Sequence, residues 1–378
     1  MDSATNLRGL SKPLEFDVEA LCGRARAGRL RLNRCDLETP LFMPVGTQAT
    51  VKALGPAEIE ASGARMIIMN TYHLWLRPGP ELIAALGGVH EFSRWPHAIA
   101  TDSGGFQAYS LAAIGKLTED GFAFQSHLDG SRHLLSPEES MRIQGLLGSD
   151  IAMQLDVCPN AQASPEVLHA AVERTTRWAK RCLIARKPGQ ALFAIVQGGT
   201  DAELRRRHAS ELSELPVDGL ALGGFSVGEP PPVMHRLLEE LMPTVDQGRP
   251  RYLMGVGTPT DLVRAISQGV DMFDCVFPTR NARNGQAFVA SGRLVIKQSR
   301  YKDDPRPLDE HCSCPTCVGR FSRAYLRHLF VAREILALRL LTLHNVFFYG
   351  RLVSQARRAI VDGTYGVWAS EMLARWQN

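Results

Sequence analysis

From Pro40 onward the chain repeats one pattern. A short apolar run ends in a polar residue or a glycine, and a stretch of helical character usually follows. The strand candidates are Leu41–Val45, Arg65–Asn70, Ala98–Asp102, Asp150–Asp156, Leu192–Gln197, Gly219–Gly223, Arg251–Gly255 and Asp271–Asp274. Most are nearly continuously apolar, as expected of parallel strands covered on both faces. The stretches between them carry helix-start signals. Ser136-Pro137-Glu138-Glu139 combines an N-cap serine, a first-turn proline and a capping-box glutamate. Ser164-Pro165-Glu166 and Thr258-Pro259-Thr260-Asp261 repeat the idea. Eight strands alternating with helices predict an α/β chain folded as a (β/α)8 TIM barrel. The alternative, a doubly wound open sheet, is disfavoured because no Gly-rich dinucleotide fingerprint follows the first strand.

Two places break the repeat, and the N-terminal part precedes it. Residues 1–40 read as an irregular start with short alternating strands such as Ala25–Leu32. Gly121–Leu135 alternates and predicts a hairpin with a tight turn at Asp129-Gly130. After the eighth strand, Gln286–Gln298 reads as further strands. A cysteine cluster, a helical run over Ser322–Leu343 and a last helix near Gly350–Val361 follow. The expected division is an N-terminal strand region (1–40) packed on the barrel, the barrel (41–285), a metal-binding subdomain (286–350) and a C-terminal helix (351–378).

Composition changes this picture little. With 378 residues, 45% of them hydrophobic, the chain can fill one large barrel core. The net charge is only +4. From His311 onward, however, nine arginines stand against three acids, a net of +6. Such a gradient suits a body that does chemistry and an end that meets phosphates, although a solvated helical face would look the same. No charged, apolar leader opens the chain, and no run approaches the roughly 18–20 apolar residues of a membrane span. The protein is therefore expected to be soluble and cytoplasmic. Its eight cysteines then need a reason other than disulfides.

In barrel enzymes the active site lies at the C-terminal ends of the strands. Those ends read Asn70, Asp102, Asp156, Gln197, Gly223-Gly224, Met254 and Asp274. One acid there is usually a cap or an ion-pair partner; three acids and a glutamine at matching positions are harder to explain that way. Two carboxylates facing one sugar carbon suit retaining glycosyl transfer, one attacking and the other handling the proton. A third acid, an amide and a Gly-Gly backbone make a hydrogen-bonding edge for a purine. Phe106 and Met254 could sandwich its flat ring. The Gly-Gly of Asp102-Ser103-Gly104-Gly105-Phe106-Gln107 reads as backbone clearance for a ligand, because no lysine follows to hold a phosphate. Just beyond Asp274, Pro278 ends the strand and Arg280 and Arg283 follow in what reads as a basic loop.

Cys312, Cys314 and Cys317 have C-x-C-x-x-C spacing. One histidine would complete a closed, structural Cys3His zinc site. The candidates are His311, His328 and His344. His344 lies past the predicted helix, and His328 falls inside it.

These motifs together resemble the tRNA-guanine transglycosylases, or queuine tRNA-ribosyltransferases. The resemblance is carried by Asp102-Ser103-Gly104-Gly105, Gly223-Gly224 with Val227-Gly228-Glu229, Arg251–Gly257, Asp271–Gly285 and the C-x-C-x-x-C…His-Asn pattern. It runs from about residue 14 to the end. It implies exchange of guanine at a tRNA anticodon wobble position for a 7-deazaguanine base, usually by a homodimer with one structural Zn2+ per subunit. It also implies roles: Asp274 as nucleophile, Asp102 as general acid/base, and Asp156, Gln197, Gly223 and Gly224 as base readers. Phe106 and Met254 would stack on the base, and Arg280, Arg283 and the basic C-terminal part would hold the tRNA. The metal ligands would be Cys312, Cys314, Cys317 and His344.

The chain departs from many bacterial members at Phe106, where they have Tyr, at Val157, where they have an acid, and at Phe225, where they have Leu. Val157 and Phe225 are expected to alter the pocket. Val227, where queuine-using relatives have glycine, is expected to crowd queuine and favour 7-aminomethyl-7-deazaguanine. Direct use of queuine, a catalytically silent tRNA-binding paralogue and a hydrolytic nucleosidase are the competing readings.

Overall fold

The computed structural model of the chain describes residues 12–111 and 115–376. The polar stretch that opens the chain, residues 1–11, lies outside them. Eight parallel strands close into a barrel: Leu41–Gly46, Met66–Met69, Ala98–Thr101, Ile151–Met153, Ala191–Val196, Gly219–Leu222, Arg251–Leu253 and Met272–Cys275. They pair in chain order, and the eighth closes on the first with Asp274 opposite Met43. The expected α/β barrel is therefore formed, and an open sheet is excluded.

Alternate strand residues point inward. Met43, Ile68, Ala100, Met153, Ile195, Ala221, Tyr252 and Met272, one from each strand, belong to a single interior cluster. Their neighbours, such as Ile67, Ile99, Leu253 and Phe273, pack outward under the helices. Leu14, Leu30, Leu32 and Leu37 of the three-stranded N-terminal sheet join the interior cluster. A buried fork fastens that sheet to the barrel. Arg26 donates to both oxygens of Asp271, at 2.7 and 2.5 Å, just before the eighth strand.

The insertion between the third and fourth strands is a small antiparallel sheet: Gly115–Leu117, Phe122–Gln125 and Arg132–Leu135. Its turn is not the tight one expected at Asp129-Gly130. Gln125 pairs with Arg132, and the loop between them closes through Ser126 and Ser131. A two-residue turn of the Asp-Gly (I′) kind needs positive φ at both central residues. Only Gly130 has it; the Asp129 carboxylate instead accepts from Ser131 N–H and Oγ, which bends the chain locally.

Beyond the eighth strand three expectations are corrected. The basic stretch is not a loop but a helix, Phe277–Arg283, with Pro278 in its first turn, where a missing N–H costs nothing. The run Ser322–Leu343 is two helices, Arg323–Val331 and Ile335–Val361, broken where Arg333 takes φ +62°. The separate helix expected at Gly350–Val361 is the second half of that 27-residue helix. The division expected after residue 350 therefore falls inside one helix, and His344 lies within it rather than past it. Gly350 lets this helix touch the barrel, since a Cβ there would sit 2.2 Å from Ser62 O.

The basic end is also partly spent on the fold. Arg323 pairs with Asp304, Arg339 with Glu58, Arg351 with Asp309 and Arg357 with Glu19. Among the described residues no helix is long and apolar enough to cross a membrane.

Candidate active site

Counting two residues on from the inward-facing set explains the rim. Asn70, Asp102, Gln197, Gly223, Met254 and Asp274 are the next inward positions of their strands. Asp156 breaks the count. Regular pairing stops at Met153, and Leu155 turns outward into the helix-facing core. The backbone thus slips one residue and brings Asp156 round instead.

Asp274 is held by one oxygen. Tyr252 Oη donates to Oδ1 at 2.6 Å and Gly255 N–H at 2.7 Å. No described residue donates to Oδ2. Burial raises the Asp274 pKa above the ordinary carboxylate range, and these two donors oppose the rise. Tyr252 is buried, and burial with the charge of Asp274 pushes its own pKa well up, so it remains a donor.

Asp102 has a fuller set of donors. Asn70 Nδ2 lies 2.5 Å and Gln107 Nε2 3.2 Å from Oδ2, while Thr71 N–H lies 2.9 Å and Gly104 N–H 3.2 Å from Oδ1. Burial nevertheless raises its pKa to about 7, and the negative charge of Asp274 adds to the rise. The two carboxyls therefore share one electrostatic environment. Asp102 can exchange a proton near neutrality, where an ordinary aspartate cannot.

The third acid belongs to a separate edge. Gln197 Nε2 donates to Asp156 Oδ2 at 2.6 Å, and burial lifts the Asp156 pKa to about 6. Gly223 and Gly224 must lack side chains, because a Cβ on either would come within 2.7 Å of the Gln197 amide. Behind them Arg205, wholly buried, donates to Gly199 O, Gly223 O and Gly224 O. His208 from the same helix accepts from Gln197 N–H at 2.9 Å.

A cavity of about 210 Å3 adjoins Asp156 on the side of the small antiparallel sheet, lined by Phe106, Asp156, Val157 and Cys158 with Phe122 and Arg174; Gln197, Gly223 and Gly224 do not line it. Phe106 is 50% exposed. Val157 lines this cavity. Phe225 does not: it is buried in the helix-facing core beneath the Arg205 guanidinium. Met254 is half-buried against the barrel interior.

Arg280 and Arg283 lie on the helix that follows Asp274. Arg280 is exposed; Arg283 is half-buried, with one terminal nitrogen lacking any partner among the described residues. That helix is tied to the long C-terminal one. Asn345 Nδ2 donates to Pro278 O and Gln286 O, and Tyr349 Oη donates to Gly257 O.

One residue before Asn345, His344 meets the three cysteines. Cys312, Cys314 and Cys317 Sγ lie 3.7, 3.5 and 3.4 Å from His344 Nδ1, and all four residues are buried. His344 Nε2 lies 2.7 Å from Phe288 O, so its N–H is used there and Nδ1 keeps its lone pair. Thiols this close cannot all ionise unaided: mutual contact holds Cys312 low and drives Cys317 high. A metal cation would remove that conflict. Of the three candidate histidines, the structure brings only His344 to the cluster; His311 and His328 stand outside it.

Tyr252, Gln107, Arg205 and His208 also shape the site, although the sequence alone does not single them out. Tyr252 alone left a signal, since it is two residues before Met254 and so must share its inward face. The other three act from helices whose docking no local pattern specifies.

The model of the family described as queuine tRNA-ribosyltransferase matches residues 22–378. A queuine tRNA-ribosyltransferase of Sorangium cellulosum is 63% identical over 358 residues, covering 95% of this chain and 91% of the relative. Proteins of the same name from Herpetosiphon aurantiacus and Moorella thermoacetica are 50% and 51% identical, over 96% and 94% of this chain and 92% and 95% of their own lengths. With the barrel, the rim carboxylates and the Cys3His cluster in one chain, this protein belongs to the queuine tRNA-ribosyltransferase family, enzymes that act on tRNA.

Proposed function

We propose that this enzyme exchanges guanine at the anticodon wobble position of tRNA for a 7-deazaguanine base by double displacement at Asp274. The observation that carries the reading is the asymmetry of the two carboxyls. Asp274 is pinned by Oδ1 with Oδ2 left unbonded, and it faces a second acid that titrates near neutrality.

The target base must leave the anticodon stack to reach the rim, which an unpaired loop makes inexpensive. Asp274 Oδ2 attacks C1′ of the ribose, and the C1′–N9 bond breaks. Guanine leaves with that electron pair and takes a proton from Asp102. The incoming base then gives its N9 proton to Asp102, and N9 attacks C1′ and expels the Asp274 carboxylate. Two inversions retain configuration, and no other reactant is consumed. Asp156, Gln197 and the Gly223-Gly224 backbone read the base, and Phe106 and Met254 stack on it. Arg280 and Arg283 contact the RNA.

The incoming base is taken to be 7-aminomethyl-7-deazaguanine, with Val227 excluding the bulk of queuine. The cluster of Cys312, Cys314, Cys317 and His344 fits Zn2+. Tetrahedral zinc separates its sulfur and nitrogen ligands by about 3.5 Å, and the observed separations run from 3.4 to 3.7 Å. All four positions are filled by side chains, so the ion would brace the fold and not the chemistry. The enzyme is taken to work in the cytoplasm as a homodimer. Exposed Val318, Tyr325, Val331, Ile335 and Leu336, which follow the cysteine cluster in the chain, are the apolar side chains taken to be covered by the second copy.

A covalent protein–tRNA adduct on a denaturing gel tests the mechanism; an Asp274→Ala protein that still forms it would sink the assignment. Competition of labelled guanine against 7-aminomethyl-7-deazaguanine and queuine tests the incoming base.

A further inference from the structure

Arg205 is a wholly buried cation that no described carboxylate pairs with, which is costly. Its donors go to the main chain: Nε to Gly199 O at 2.7 Å, and its two terminal nitrogens to Gly223 O and Gly224 O, each at 2.9 Å. The flat face of the guanidinium lies 3.8 Å from the centre of the Phe225 ring. The fork therefore grips two successive carbonyls and is itself fixed in plane by an aromatic floor.

The grip has a directional consequence. In a trans peptide the carbonyl and the next N–H point opposite ways. Drawing Gly223 O towards Arg205 turns Gly224 N–H away from it, to the side of Cys158, two residues on from Asp156. Gly224 itself stands at φ +65°, and a Cβ there would come 2.4 Å from Gln197 Oε1. Without a side chain of its own to lock it, this peptide is held by its neighbours.

We propose that Arg205 is a positioning residue for base recognition, fixing the Gly223-Gly224 backbone so that Gly224 N–H is aimed at the 6-oxygen of the purine. This rests on the reading that the Gly223-Gly224 edge faces the base. Arg205 touches neither base nor tRNA. A lysine in its place would keep the charge but could not hold two carbonyls in one plane.

The test measures guanine incorporation into tRNA by the purified wild type, Arg205→Lys and Arg205→Ala. Inhibition constants are determined for 2-aminopurine, which lacks the 6-oxygen, and hypoxanthine, which lacks the 2-amino group. The preference for guanine over 2-aminopurine should fall about ten-fold in the variants. The preference over hypoxanthine, which belongs to Asp156, and the KM for tRNA should hold. Millimolar guanidinium should restore part of the lost preference in Arg205→Ala. If both preferences fall together, or neither falls in Arg205→Lys, Arg205 only supports the fold and the proposal is overturned. A wild type that incorporates no guanine overturns the exchange reading itself, and this proposal with it.

Discussion

Tyr252 donates a hydrogen bond of 2.6 Å to Oδ1 of Asp274, the same oxygen that Gly255 N–H reaches at 2.7 Å. Both donors favour the ionised carboxylate, and they leave the other oxygen unbonded. One side of the group is thus fixed and the other presented to the barrel mouth.

Removing that hydroxyl therefore has a signed effect. Tyr252→Phe takes away a donor that lowers the Asp274 pKa, so the pKa rises further. Adduct formation with tRNA should slow about ten-fold on the acid side, and the deficit should shrink as pH increases. Single-turnover rates across pH check this; a uniform loss at every pH would point to altered packing instead.

Asp102 should make the two half-reactions respond to pH in opposite directions. Its pKa is raised to about 7, so it is protonated below that value and ionised above it. Guanine release needs the acid and should weaken as pH rises through about 7. Attack by the incoming base needs the carboxylate and should strengthen over the same interval. Rapid-quench measurement of each step tests this, and Asp102→Asn should flatten both profiles while costing at least about a hundred-fold in rate.

The metal cluster should report on both stability and RNA binding. Elemental analysis should find about one zinc ion per chain. Cys314→Ser, at a fully buried ligand, should lose it and lower the melting temperature by roughly 5 °C or more. Because Asn345, beside His344, holds Pro278 O at 2.9 Å, the same change should weaken tRNA binding through the Arg280–Arg283 helix. Native mass spectrometry, calorimetry and filter binding read the three effects separately.

Arg283 should act as a phosphate contact. Its guanidinium is half-buried with one terminal nitrogen inaccessible and unpartnered among the described residues, so the contact falls to its remaining N–H groups. Arg283→Ala should weaken tRNA binding and lower the slope of log K against log salt by about one. An unchanged slope would count against a phosphate contact.

The apolar face around Tyr325 and Ile335 should set the oligomeric state. Ile335 is 78% exposed, and Val331 and Leu336 beside it in the chain are exposed as well. In the proposed homodimer, Ile335→Asp should shift the sedimentation profile from dimer to monomer, with the melting temperature little changed.

Much of this site was legible in advance, for a definite reason. A strand repeats every two residues, so inward phase can be carried along the chain to its end. Asn70, Asp102, Gln197, Gly223, Met254 and Asp274 could be aligned that way. The cysteine spacing was equally readable, because three ligands within six residues leave little conformational choice. Asp156 was identified although its strand stops early, and the slip at Leu155 that turns it inward left no mark in the pattern. Phe225, expected to alter the pocket, is instead buried in the helix-facing core, because its direction depends on Arg205, a partner twenty residues away.

By itself, then, the sequence determined the barrel, its inward phase, the rim acids and the cysteine trio, all of which follow from local periodicity. Only the tertiary structure decided how the two catalytic candidates differ. Asp102 and Asp274 are the same residue type at the same kind of strand end. The first receives four donors, yet burial leaves it titrating near neutrality; the second is gripped by one oxygen through Tyr252 and Gly255. That division comes from the side chains and backbone that folding brings round each carboxyl. Desolvation and hydrogen bonding are properties of that shell and not of the residue.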